Sequence, residues 1–203
     1  PLIGPSRMLR ARRPALQLAR GALLACATIS ILSSLKAMPL TQAYVAMLSA
    51  PLVAAMLSTF FLAEKASALQ WGAIVTGFAG VVIALGPDAP EIGLYLLLAL
   101  GMALALGSNH VLTRLGARVE SPYAQLFYIA VGAFAFLTPM LMLASGTLPV
   151  SAWGWVVLAA AFGTAAHFLL ILALGYAPAT IVSPMLYTQI LWAALAGYVV
   201  FSE

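Results

Sequence analysis

The side chains that could do chemistry in this sequence are few, and they lie inside long apolar runs. His167 sits in the middle of the run 153–174. An imidazole there has two functional uses, proton coupling or donation of a hydrogen bond to a substrate; the plainer reading is a neutral ring satisfied by a neighbouring helix. Tyr187 offers an aromatic face and a hydroxyl, and Gln189 offers two donors and an acceptor. Such groups suit an amphipathic metabolite. They equally suit hydrogen bonds between helices, worth about 0.6 kcal/mol on average in a membrane. Gln42 and Ser49 are seven residues apart, hence on one helix face, while Tyr44 and Leu48 share another. Thr180, Ser183 and Tyr187 form an i, i+3, i+7 row that Gln189 does not join. Asn109 and Thr113 stand one turn apart, beside His110 and Arg114, which read as interfacial. Pro51 removes a backbone hydrogen bond and frees a carbonyl, giving either a gating kink or a static one, and Pro184 marks a second such position.

Several chemistries have no residues to carry them. All five acidic residues, Glu64, Asp88, Glu91, Glu120 and Glu203, fall at the ends of apolar runs, so no carboxylate relay or sodium site is visible within one. No Walker A motif, nucleophile elbow or metal-ligand spacing appears, so the sequence calls for no metal, cofactor or enzymatic reaction. The single Cys26 excludes an internal disulfide.

The elements that must hold these residues are transmembrane helices. The hydrophobic fraction is 64% and the charged fraction 7%, against roughly 25% charged residues in a soluble domain; the mean hydropathy is +1.08. A bilayer core about 30 Å thick needs about 20 apolar residues in a helix. Seven segments meet that length: 18–37, 42–63, 68–86, 92–112, 123–145, 153–174 and 179–201. The runs are continuously apolar, which argues for helices over the alternation of a membrane barrel strand. Short breaks rich in Pro and Gly separate them. Gly72, Gly77, Gly80, Gly101, Ala105, Ser108 and Gly132 read as small residues that let helices approach closely.

With the N-terminal segment placed in the cytoplasm, Arg7, Arg10, Arg12, Arg13, Arg20, Lys65, Arg114 and Arg118 fall on that side and Lys36 alone on the other. This is the asymmetry of the positive-inside rule. The N-terminal basic run is read as a topology determinant, with an anionic-lipid or nucleic-acid patch as the bolder alternative; no nucleic-acid partner is expected.

An internal repeat organises the spans. The stretch Pro39–Glu64 aligns without gaps on Pro178–Glu203. Pro39 meets Pro178, Thr41 meets Thr180, Leu52 meets Leu191, Ala54-Ala55 meets Ala193-Ala194, and Glu64 meets Glu203. Leu35 and Leu174 stand four residues before the two prolines. These are the second and seventh spans, five apart, so the two copies must have opposite orientation, as in many secondary transporters. Completing the count adds two helices upstream and one downstream, for ten in two fives. Residues 1–86 are then a basic segment with the last three helices of the first repeat, and 87–203 the first four of the second. Ile190 stands where the repeat would place a partner for Pro51, with Pro184 nearly two turns earlier, so a break in the last span is expected to be displaced.

The segments Leu18-Ala-Arg-Gly21, Leu35-Lys-Ala-Met-Pro39, Leu48-Ser-Ala-Pro51 and Leu62-Ala-Glu64, with Ala173-Leu-Gly-Tyr-Ala-Pro178, Tyr187-Thr-Gln189 and Gly197 to Glu203, make the sequence resemble the ten-helix EamA-type group of the drug/metabolite transporter superfamily. The resemblance implies an all-α integral membrane bundle, seven of ten helices of a five-plus-five inverted repeat. It further implies that the first, second, fourth, sixth and seventh spans line a central cavity. Gln42, Tyr44, Ser49, Asn109, His167, Tyr187 and Gln189 are then candidates for substrate binding, and Pro51 and Pro184 for gating. The expected function is secondary transport of small organic metabolites such as amino acids or amines, in a bacterial inner membrane with its lipid. A non-transporting membrane scaffold is the alternative.

Overall fold

The computed structural model describes residues 11–36, 39–85, 93–143, 148–196 and 198. These form nine α-helices: α1 Pro14–Ser34, α2 Leu40–Met47, α3 Ala50–Phe61, α4 Ala68–Leu85, α5 Gly93–Gly116, α6 Pro122–Leu143, α7 Trp153–Tyr176, α8 Ala179–Met185 and α9 Thr188–Ala196. A short 3₁₀ turn, Val150–Ala152, leads into α7. No strand occurs among the described residues.

Proline sets most of the helix starts, because its fixed φ suits the first turn and its missing N–H is not needed there. Pro14 and Pro122 open α1 and α6. Pro39 and Pro178 precede α2 and α8 with nearly the same backbone, φ −56°, ψ 143° and φ −57°, ψ 146°. At the end of α3, Ala63 turns into the left-handed region at φ 53°, and the N–H of Leu62 returns to the Ser58 carbonyl at 3.0 Å.

Among the described residues, five stretches are long and apolar enough to cross a membrane: Pro14–Ser34, Gln42–Phe61, Leu96–Gly116, Pro122–Met140 and Val150–Tyr176. The third expected span is the 18-residue α4, and the seventh, taken from sequence as one run, is broken into α8 and α9. The chain is multi-pass, and its exposure pattern shows why. Large apolar side chains face outward, with Ile83 78% exposed and Trp155 73%, while Arg20, Gln17, Asn109 and Gln125 are almost wholly buried. That inversion is stable only where lipid covers the outside.

The described chain divides into two compact units. One comprises Pro1–Cys26 with Leu112–Ala177, the other Ala27–Val111 with Pro178–Glu203, so the boundaries fall within α1 and α5. In the second unit, small residues set the packing. A Cβ on Gly107 of α5 would lie 2.7 Å from Val53 Cγ1 and 2.9 Å from the Ala50 carbonyl, and one on Gly77 of α4 would lie 2.9 Å from Leu52. In the first unit, a Cβ on Gly21 would lie 2.7 Å from the Cα of Gly132, so α1 and α6 cross backbone to backbone. The small-residue reading is thus correct for Gly77 and Gly132. At Gly72, Gly80 and Gly101 a Cβ would meet nothing within 4 Å among the described residues.

Candidate functional site

The second unit is built around two interrupted helices. Between α2 and α3 the chain passes through Leu48 and Ser49, with the Ser49 N–H bonded to Ala46 O at 3.1 Å. Between α8 and α9 it passes through Leu186 and Tyr187, tightened by i→i−3 bonds from Leu186 to Ser183 and from Tyr187 to Pro184, both at 3.1 Å. Pro51 lies just after the first interruption, in the first turn of α3. Pro184 lies just before the second, inside α8. The two prolines flank their interruptions from opposite sides. The expectation of a displaced break is therefore corrected: the two breaks agree to within one residue of the repeat register.

The interrupted helices pack on each other, and the Tyr187 hydroxyl donates to the carbonyl of Leu48. These two residues are 139 positions apart, the offset that carries Pro39 onto Pro178. A position of the first copy thus bonds its own counterpart in the second. A second link joins the same elements. The Glu64 carboxylate, aimed by the left-handed Ala63, accepts the N–H of Ala179 at 2.8 Å and so caps the first turn of α8. Its counterpart Glu203 lies outside the described residues.

Six of the seven substrate-binding candidates fall in this unit. Ser49 is buried, and its hydroxyl donates to Ala46 O at 2.6 Å. Gln42 is half-buried, its Oε1 without a partner among the described residues. Tyr44 is half-buried, Asn109 fully buried and hydrogen-bonded or otherwise engaged, and Gln189 exposed. Thr180 and Ser183 are buried, and the Ser183 hydroxyl finds no described partner. An apolar cavity of about 420 Å³ opens between α3, α4 and α8, walled by Leu52, Leu69, Ile74 and Met185, with Thr180 and Tyr187 supplying hydroxyls. Its size is within the range of small-molecule sites. His110 is buried.

The first unit holds His167, half-buried on α7, next to Phe168, whose ring packs on Tyr123 at 5.5 Å. It also holds the most buried charge in the described chain. Arg20 is 0% exposed. Its guanidinium donates to Gln17 Oε1 at 2.7 Å, Thr113 Oγ1 at 3.1 Å and the Gln125 carbonyl at 3.2 Å. Gln125 is equally buried, and neither side-chain polar atom has a described partner. Arg20 thus forms a polar knot joining α1, α5 and α6. The signal was present in the sequence: Arg20 falls inside the first apolar span, where an ionisable side chain demands partners. Nearby, Glu120 accepts the backbone N–H of Arg12 at 2.9 and 3.0 Å and of Arg13 at 2.7 Å. Arg114 donates to the Leu174 and Gly175 carbonyls, at 2.8 and 3.2 Å, at the end of α7.

Comparison with known proteins agrees with this geometry. One family description, the EamA-like transporter family, matches residues 3–86 and again residues 93–203. An S-adenosylmethionine uptake transporter of Rickettsia bellii is 29% identical over 204 residues, 96% of this chain and 67% of its own length. One of Rickettsia felis is 31% identical, over 96% of this chain and 66% of its own length. A riboflavin transporter of Rhizobium johnstonii is 30% identical, over 95% and 64%. The chain therefore spans about two thirds of the length of these relatives. With family matches that together run almost from end to end, and with helices whose apolar faces turn outward, the chain belongs to the EamA-like transporter family of multi-pass membrane transporters.

Proposed function

We propose that the whole protein is a secondary transporter moving a small organic metabolite by alternating access. This chain supplies the last three helices of one repeat (residues 1–86) and the first four of the next (residues 87–203). The observation that carries the reading is the pair of interrupted helices bonded through positions 139 apart. Broken helices meeting at a repeat axis are where secondary transporters hold substrate, because the interruption presents backbone groups that an unbroken helix would consume. The binding residues proposed are Gln42, Tyr44, Ser49, Asn109, His167, Tyr187 and Gln189, with His167 serving either to bond substrate or to couple protons. Location in an inner membrane with a cytoplasmic N-terminal segment is part of the same proposal, supported by the basic residues outside the spans.

Substrates of the amino-acid or amine class remain the proposal. The relatives named for S-adenosylmethionine uptake favour a sulfonium amino acid as the first to test, and the one named for riboflavin places a heteroaromatic ring next. The test is uptake into proteoliposomes of labelled S-adenosylmethionine, riboflavin, amino acids and amines, with and without a pH gradient. Saturable uptake of one class, lost in Tyr187→Ala or Gln189→Ala protein that still folds, is the expected result. Folded protein that moves none of them overturns this substrate class and favours the scaffold alternative.

A further inference from the structure

We propose that the first unit binds an anionic phospholipid at the start of α1, with its phosphate against Arg12 and Arg13 and an acyl chain lying between α1 and α6. A groove of about 360 Å³ runs there, lined by Pro14, Ala15 and Leu18 of α1 and by Tyr128, Val131 and Ala135 of α6. It lies beside the Gly21–Gly132 crossing, and Gly132 itself lines it. At a rise of 1.5 Å per residue, the stretch from Pro14 to Gly21 is about 10 Å long, enough for the upper part of an acyl chain. The lining is apolar apart from Gln17 and Tyr128, and Leu18 and Val131 are exposed.

Charge selects among lipids. Arg12 and Arg13 are exposed and immediately precede Pro14. They are not on a loose tail, because their backbone N–H groups are held by Glu120. That carboxylate is itself buried, and three N–H contacts engage it. The carboxylate is thus occupied by backbone, and the two exposed arginines stand one and two residues before Pro14, which lines the groove. An anion without a chain would meet only two exposed arginines and gain little. A zwitterionic lipid would fill the groove without a net attraction. A lipid carrying both a chain and a net negative charge uses both features.

The inference is independent of the substrate. It is tested on the purified full chain in detergent, by counting bound lipid with native mass spectrometry during titration. The probes are phosphatidylglycerol and phosphatidylcholine of identical chains, with glycerol phosphate as the headgroup alone. Each arginine near a headgroup contributes about a factor of five, so phosphatidylglycerol should bind roughly twenty-five-fold more tightly. Arg12→Gln with Arg13→Gln should reduce that ratio to near one, while Arg12→Lys with Arg13→Lys should keep most of it. Ala135→Trp, at an exposed lining position, should weaken both lipids and leave the ratio unchanged. Equal affinity for the two lipids, a preference that survives the double glutamine variant, or competition by glycerol phosphate at lipid concentrations would each overturn the proposal.

Discussion

Replacing Tyr187 by Phe removes one oxygen and leaves the ring in place, which makes it a clean probe of the bond between the two repeats. The hydroxyl donates to Leu48 O at the interruption between α2 and α3. A hydrogen bond of this kind contributes about 1 kcal/mol net, and interhelical bonds in membranes average about 0.6 kcal/mol with a maximum near 1.7. The expected loss is therefore about 0.6–1.5 kcal/mol, or roughly three- to twelve-fold in an equilibrium constant. For a chain of this size that corresponds to a fall of about 2–4 °C in melting temperature per kcal/mol. If the bond exists only when the two interrupted helices are packed as here, the same factor shifts the population toward conformations that lack it. The assay pairs thermal melting in detergent with the rate of modification of single cysteines placed along α8 and α9, in a Cys26→Ser background. A Phe variant that melts with the parent and labels at the parental rate would refute a bond that holds the two copies together. Tyr187→Ala, which also removes the half-buried ring, should lower the melting temperature further.

Three other perturbations separate specific contacts from general packing. Gly21→Ala or Gly132→Ala places a methyl against backbone and should destabilise by about 1–3 kcal/mol, whereas Gly72→Ala and Gly80→Ala, which face open space, should be neutral or gain up to about 1 kcal/mol from helix propensity; thermal melts of the four variants decide it. Ala63→Gly relieves a left-handed residue and should stabilise by about 1 kcal/mol, while Glu64→Ala should cost about 1–2 kcal/mol through the lost cap on α8, with Glu64→Gln between them in a chemical or thermal unfolding series. Arg20→Leu leaves Gln17, Thr113 and the Gln125 carbonyl without their donor and should cost about 2–4 kcal/mol; the measurement is the fraction of folded protein recovered in mild detergent, which Arg20→Lys should restore only in part because one ammonium cannot reach all three acceptors.

The helices were legible because lipid imposes a simple rule: a run of twenty apolar residues with no alternation has to satisfy its backbone internally. The repeat was legible for the same reason that its matches are informative, since Pro39 with Glu64 and Pro178 with Glu203 are rare residues at fixed distances in an otherwise Ala- and Leu-rich text. What was hidden is whatever depends on side-chain direction. Arg20 lies within two residues of the start of the first expected span, and a count of charges by side does not reveal that its side chain is buried. The structure starts the helix at Pro14 and turns Arg20 inward. The break after Leu186 was hidden because Pro184 stands on the other side of it from the position that Pro51 occupies, and a register comparison of prolines cannot see that the two act on the same interruption. Gly107, which the crossing of α5 and α3 requires, was passed over beside Gly101, because spacing alone does not tell which side of a helix faces a neighbour.

The shortness of α8 has a consequence for how the chain enters a membrane. At 1.5 Å per residue, its 7 residues extend about 10 Å, and it does not alone cross a core of about 30 Å. By contrast, α7 is long and strongly apolar, and its only buried residues are Ile171 and Leu174, so it can partition into lipid on its own during synthesis. The segment after Pro178 depends on a tertiary event. The backbone N–H of Ala179 at the start of α8 is satisfied by Glu64, and the side-chain hydroxyl of Tyr187 by the Leu48 carbonyl, both made more than a hundred residues earlier. Insertion of α8 is accordingly expected to follow that of the earlier helices that hold Glu64 and Leu48.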